Sequence, residues 1–162
     1  MRARAAVPAL ATLAAALLAA SGSVRSGEFY AQLDKPGWAP PGGLFGPVWT
    51  ILYITMGIAA VLVVRRAGWP AARPAMTLFG AQLALNALWP WLFFKWRLGG
   101  VSLAEIVALW VVLVLTVLAF RRIHRLAAAL LLPYLLWVTY ATALTYSVWR
   151  RNPELLAAGY WM

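Results

Sequence analysis

Five apolar stretches dominate the chain, each close to the length that crosses a bilayer: Ala5–Val24, Gly46–Val64, Ala75–Phe94, Val101–Phe120 and Ala127–Trp149. About 20 residues of α-helix span the hydrocarbon layer. A helix satisfies its own amides there, and irregular chain exposed to lipid does not. The pattern predicts an all-α integral membrane protein, a five-transmembrane-helix bundle with residues 1–162 as one membrane domain. Composition agrees: 64% of residues are hydrophobic and 11% charged, whereas soluble domains carry about a quarter charged. Trp and Tyr gather near several stretch ends, as interfacial anchors do.

The first stretch has a second reading. Met1-Arg-Ala-Arg before an alanine-rich run resembles a signal peptide, although signal cores are usually shorter, about 7–15 residues. Pro8 falls in the first turn, where a helix tolerates it.

The formal charge is +10. The basic residues stand in short clusters between apolar runs: Arg65-Arg66, Lys95 with Arg97, Arg121-Arg122 with Arg125, and Arg150-Arg151. That distribution suits loops at a charged lipid surface and argues against a nucleic-acid partner. The N-terminus and the connections after the second and fourth stretches share one face and hold eight Lys or Arg. The other face holds six, offset by Glu28, Asp34 and Glu154. The positive-inside rule then favours an inside N-terminus. The sequence does not identify the membrane.

The connections Arg65–Pro74, Lys95–Gly100 and Arg121–Leu126 are short, so neighbouring helices are expected to run antiparallel. The exception is residues 25–45, with Pro36, Pro40, Pro41 and four glycines. Loops of that length are uncommon and often functional. Phe29, Tyr30, Trp38 and Phe45 predict a loop packed over the bundle mouth.

Polar side chains inside a span are costly and tend to face the bundle interior. Gln82, Asn86 and Trp89 share one helix face by spacing. Trp49, Tyr53 and Gly57 share another, as do Tyr134, Trp137, Ala141 and Leu144. The topology brings these faces toward the long loop, which predicts a pocket for a large, flat, mostly apolar ligand. For each residue alone, packing or interhelical hydrogen bonding is the stronger reading, and it is their convergence that favours a ligand site.

The chain has no cysteine and one histidine, His124, in a connection. No carboxylate or His cluster stands at metal-ligand spacing, and no serine has a plausible base. No metal and no required cofactor are expected. Glu105 is the one acid within a span, about a turn from its start, and is expected to reach the interface.

The segments Leu33-Asp-Lys-Pro-Gly-Trp-Ala-Pro-Pro41, Phe45-Gly-Pro-Val-Trp-Thr-Ile-Leu-Tyr53, Gln82-Leu-Ala-Leu-Asn86 with Trp89-Pro, Phe93-Phe94, and Pro133-Tyr-Leu-Leu-Trp137 resemble the TspO/MBR family. This is the tryptophan-rich sensory protein and translocator protein family, also called the peripheral-type benzodiazepine receptor. The resemblance runs from about Phe29 to Asn152. It implies a five-helix fold that keeps its first helix and a tendency to homodimerise. It implies binding of tetrapyrroles such as protoporphyrin IX and haem, of sterols, and of benzodiazepine-site ligands. A regulatory, sensory or transport role follows from it. Five helices without an internal repeat fit the inverted-repeat transporter plan poorly. The alternative function it implies is an enzyme that degrades protoporphyrin IX with light and oxygen, linked to the tryptophans matching Trp49 and Trp137. No acid–base pair supports that chemistry, so tryptophan radicals would carry it.

The family's pocket positions carry over to Trp49, Tyr53, Asn86, Trp89, Trp137, Ala141 and Leu144. Its sterol motif carries over to Leu144, Tyr146 and Arg150. The same loose pattern is also met by Val24, Tyr30 and Lys35. Thr145 stands where the family often has Asn. Gly42-Gly43 stands where a Trp often follows the paired prolines, and Phe29-Tyr30 where Trp-Tyr is common. These departures bear on ligand choice, not on the fold.

Overall fold

The computed structural model describes residues 2–157, with side chains from residue 6. Every regular element among them is helical. Helix α1 spans Arg2–Gly22 and a short α2 spans Ser26–Gln32. A 3-10 turn at Gly42–Leu44 leads into α3, Phe45–Pro90, which ends in a π-helical turn, Trp91–Lys95. Helix α4 spans Gly99–Ile123 and α5 spans Arg125–Arg151.

Helix α3 is two spans joined at one residue. Gly68 has φ 75° and ψ 158°, a region open essentially to glycine alone. The arms 45–67 and 69–90 fold back on each other, so that Tyr53 meets Asn86 and Met56 meets Gln82. The chain therefore crosses the membrane five times: α1, the two arms of α3, α4 and α5.

The connections are shorter than the sequence pattern suggests. Arg65–Pro74 reads as a loop, yet only Gly68 leaves the helix. Pro70 falls in the first turn of the second arm, where backbone N–H groups have no helical partner anyway. Pro74 removes one bond near the helix end. Arg65, Arg66 and Arg73 are exposed on these ends, where long basic side chains extend toward the headgroups. The expected Arg121–Leu126 connection reduces to His124, in extended conformation at φ −151°. Its Nδ1 accepts the Ala127 N–H at 3.3 Å, so the lone histidine caps α5.

Helix α3 is the hub. It packs against α1, α4 and α5, and α4 packs against α5. Helix α1 is one wall of the bundle, tied in by Trp91 Nε1, which donates to the Leu18 carbonyl at 3.0 Å. The membrane half around Gly68 and His124 is tightly closed. Ala59, Ala60, Ala72 and Ala127 are fully buried there, and Phe79 stacks on Phe120 at 5.8 Å. Small residues let helices approach closely in lipid. The outer surface is apolar, with Leu10, Leu17, Ile51, Ile54 and Leu136 exposed. That surface, on long apolar helices, belongs in a bilayer and not in water. The protein is an integral membrane protein.

Candidate functional site

The half opposite the closed end is covered by residues 23–44. Helix α2 turns about 51° from α1 and buries Phe29, Tyr30 and Leu33 against Phe93, Leu144, Val148 and Leu156. Phe29 meets Phe93 edge-on at 6.5 Å, and the Arg97 guanidinium lies over the Phe29 ring at 4.7 Å. Tyr30 donates to the Pro40 carbonyl at 2.9 Å and packs edge-on against Phe45 at 5.3 Å. Burial pushes the Tyr30 hydroxyl above its ordinary pKa, so it remains a donor. Trp38 packs against Tyr140, whose hydroxyl donates to the Trp38 carbonyl at 2.9 Å. The long segment is thus an aromatic lid pinned to α5.

Beneath the lid, a hydrogen-bonded chain crosses the bundle. The Tyr53 hydroxyl donates to Asn86 Oδ1. Asn86 Nδ2 donates to the Tyr134 hydroxyl at 2.8 Å. The amide therefore joins both arms of α3 to α5. Trp49 covers this chain, with its ring 5.7 Å from Tyr53 and 6.1 Å from Tyr134. Tyr134 is fully buried and completes the group. Its spacing puts it on the Trp137 and Ala141 face, but nothing in the sequence marks it as the partner of Asn86.

Trp89 stacks on Phe93 at 4.9 Å and touches Phe94 edge-on. It packs against both the central core and the lid cluster. Trp137 joins the group through Phe45, at 6.0 Å, and also packs on Tyr140. Ala141 lies against the central core. Leu144 is turned into the lid cluster, under α2. Trp49, Tyr53 and Asn86 thus form one contiguous group, with Trp89 and Trp137 at its lid side.

Two buried polar atoms here have no partner: Trp89 Nε1 and Gln82 Oε1. The Gln82 amide nitrogen makes only a long contact to Met56 Sδ, at 3.9 Å. Glu105 departs from its expected place at the interface. It is 8% exposed and neither carboxylate oxygen has a donor. Depth along a helix is readable from sequence, but the direction a side chain faces depends on how α4 rotates against its neighbours.

The sterol-motif residues do not share a face. Leu144 is buried, whereas Tyr146 and Arg150 lie on the outer surface. No group of three metal-binding side chains exists among the described residues.

Comparison with known proteins agrees with this architecture. Residues 5–150 match the model of the TspO/MBR family. The chain is 43% identical over 127 residues to the tryptophan-rich protein TspO of Chlorobaculum tepidum, covering 77% of this chain and 80% of the relative. It is 40% identical over 127 residues to the human translocator protein, covering 77% and 75%. Protein CrtK of Rhodobacter capsulatus is 38% identical over 144 residues, covering 87% and 89%. With the match running from α1 to the end of α5, the chain belongs to the TspO/MBR family.

Proposed function

We propose that the protein is a membrane-embedded binder of tetrapyrroles, protoporphyrin IX or haem, that also accepts sterols and has a regulatory, sensory or transport role. The observation that carries this reading is the unpartnered Trp89 N–H beneath the lid, beside the Tyr53–Asn86–Tyr134 chain. A buried polar group without a partner costs about 1–3 kcal/mol. A polar edge of a bound macrocycle supplies the missing acceptor, while its flat face stacks on Trp49 and Trp137. Phe45 and Tyr30 occupy the mouth, so entry needs the lid to swing. The tetrapyrrole is a ligand here and not a required cofactor. Homodimerisation is part of the same proposal and is tested by light scattering of the detergent complex.

The experiment is a titration of the purified protein with protoporphyrin IX in detergent, followed by tryptophan fluorescence quenching. Trp49→Phe combined with Trp137→Phe is expected to weaken binding about tenfold, from the loss of two aromatic stacking partners. Unchanged affinity overturns the placement.

A second reading is light-driven degradation of protoporphyrin IX. It is favoured by the contact chain of oxidisable rings, Trp49 with Tyr53 and Tyr134. Illuminated protoporphyrin IX then bleaches faster with the protein than with either single Trp variant. Equal bleaching rules the reading out.

A further inference from the structure

A second concave feature lies away from the lid, on the lipid-facing seam between α1 and the first arm of α3. It is a groove of about 470 Å³. Ala9, Thr12 and Ala16 of α1 face Gly57 of α3 across it, and Tyr53 and Arg65 mark its two ends. The hollow exists because these positions carry so little side chain. A Cβ added at Gly57 would sit 3.9 Å from Thr12 Cγ2, in ordinary contact, so a single methyl group already reaches across to α1 and a longer side chain would occupy the groove. Its one threonine is turned inward on itself, with Oγ1 donating to the Pro8 carbonyl at 2.7 Å. The walls therefore offer an apolar surface.

The dimensions and the charge identify an occupant. Tyr53 and Arg65 are twelve positions apart on one helix, about 18 Å at 1.5 Å per residue. One leaflet of a bilayer is half of the ~30 Å hydrocarbon thickness. The groove therefore runs from the headgroup level at Arg65 to near the bilayer centre at Tyr53, the depth of a single acyl chain. Arg65 is exposed. The ion pair found among the described residues joins Arg151 to Asp34, so no carboxylate there neutralises Arg65. A guanidinium at the headgroup end of an apolar trough is complementary to a phosphate.

We propose that this groove is a lipid site, in which one acyl chain of an anionic phospholipid lies along α1 and α3 with its phosphate on Arg65. Tyr53 closes the inner end with its ring, while its hydroxyl serves Asn86. The groove shares Tyr53 with the Trp49–Tyr53–Asn86 group, but it lies between α1 and the first arm of α3 and none of its other lining residues belongs to that group.

The test is native mass spectrometry of the full chain released from detergent, titrated with phosphatidylglycerol and, in parallel, with phosphatidylcholine. The wild type retains one phosphatidylglycerol in preference to phosphatidylcholine. Arg65→Gln weakens that retention about fivefold, the effect of one basic residue at a lipid surface. Arg66→Gln, adjacent but outside the groove, leaves it unchanged. Gly57→Leu fills the trough and abolishes retention. Arg65→Gln alters an exposed side chain, so the test stands even where Gly57→Leu does not fold. Equal loss in Arg65→Gln and Arg66→Gln overturns the proposal, as does full retention by folded Gly57→Leu or equal retention of both lipids. A wild-type dimer that Gly57→Leu splits, with lipid retention unchanged, also overturns it, because the groove then seats a second copy of the chain.

Discussion

Asn152 and Asp34, 118 positions apart, hold each other by two hydrogen bonds. The Asp34 N–H donates to Asn152 Oδ1 at 2.8 Å, and Asn152 Nδ2 donates to the Asp34 carbonyl at 2.9 Å. Asn152 Nδ2 also reaches the Val148 carbonyl at 2.8 Å, and the residue is 7% exposed. This clasp fixes the end of α2 to the end of α5 and so closes the lid. Asn152→Ala strands the Asp34 amide, a loss of about 1–3 kcal/mol. The expected outcome is a lower thermal midpoint and faster hydrogen exchange at Asp34 and its neighbours. The ion pair beside it, Arg151 to Asp34 at 3.6 Å, is solvent-exposed on both sides. Exposed pairs contribute little, so Arg151→Gln leaves lid exchange unchanged.

The hairpin between the arms of α3 rests on Gly68. A Cβ at φ 75° and ψ 158° costs about 1–3 kcal/mol. Gly68→Ala is expected to lower the thermal midpoint in detergent by that equivalent. Gly80 is an internal contrast: helical, exposed and with nothing within 4 Å of an added Cβ. Gly80→Ala is expected to stabilise by about 0.5–1 kcal/mol through helix propensity. A midpoint that moves the same way in both variants would show that Gly68 carries no special strain.

These cases mark what the sequence discloses. Apolar length reveals five crossings because membrane thickness is fixed. Helical spacing groups Trp49 with Tyr53, and Asn86 with Trp89, because a face repeats at three or four residues. The aromatics of residues 25–45 announce a lid. The ten residues Arg65–Pro74 mislead, because their charge and prolines resemble a loop although one glycine suffices for the reversal. The partner of Asn86 is also hidden. Tyr134 lies 48 positions away, and only the relative rotation of α3 and α5 decides which aromatic on that face meets the amide. For the same reason Glu105 could be placed in depth but not in direction.

The Tyr53–Asn86–Tyr134 chain acts as a unit. Tyr53→Phe removes the donor to Asn86 Oδ1, and Tyr134→Phe removes the acceptor for Asn86 Nδ2. Each single variant leaves one buried amide atom unpaired, a loss of about 1–3 kcal/mol. Residues sharing one network couple by about 0.5–3 kcal/mol. The double variant is therefore expected to be less destabilised than the sum of the singles, because the two bonds polarise each other and each is already weakened once its neighbour is gone. Thermal unfolding of the four proteins in one detergent measures this. Strict additivity would mean that the two bonds are independent.

Glu105 gives the sharpest stability prediction. Its carboxyl is buried in α4 with both oxygens unpartnered, while the residues around it on the same face, Ser102, Ile106 and Leu109, are buried as well. A polar group in such a place opposes folding by at least about 1–3 kcal/mol. Glu105→Leu keeps a side chain of similar reach and removes the polar atoms, so the thermal midpoint is expected to rise. Glu105→Gln separates charge from polarity: it keeps a hydrogen-bonding group without a partner and is expected to recover less of the gain than Leu. A fall in both variants would mean that the carboxyl meets a partner in the membrane, and acidic residues within spans are retained at functional sites often enough that porphyrin and lipid retention should be measured on the same samples. If Glu105→Leu is more stable and both ligands are retained as in the wild type, the buried acid is a cost that the bundle carries without using it for either site.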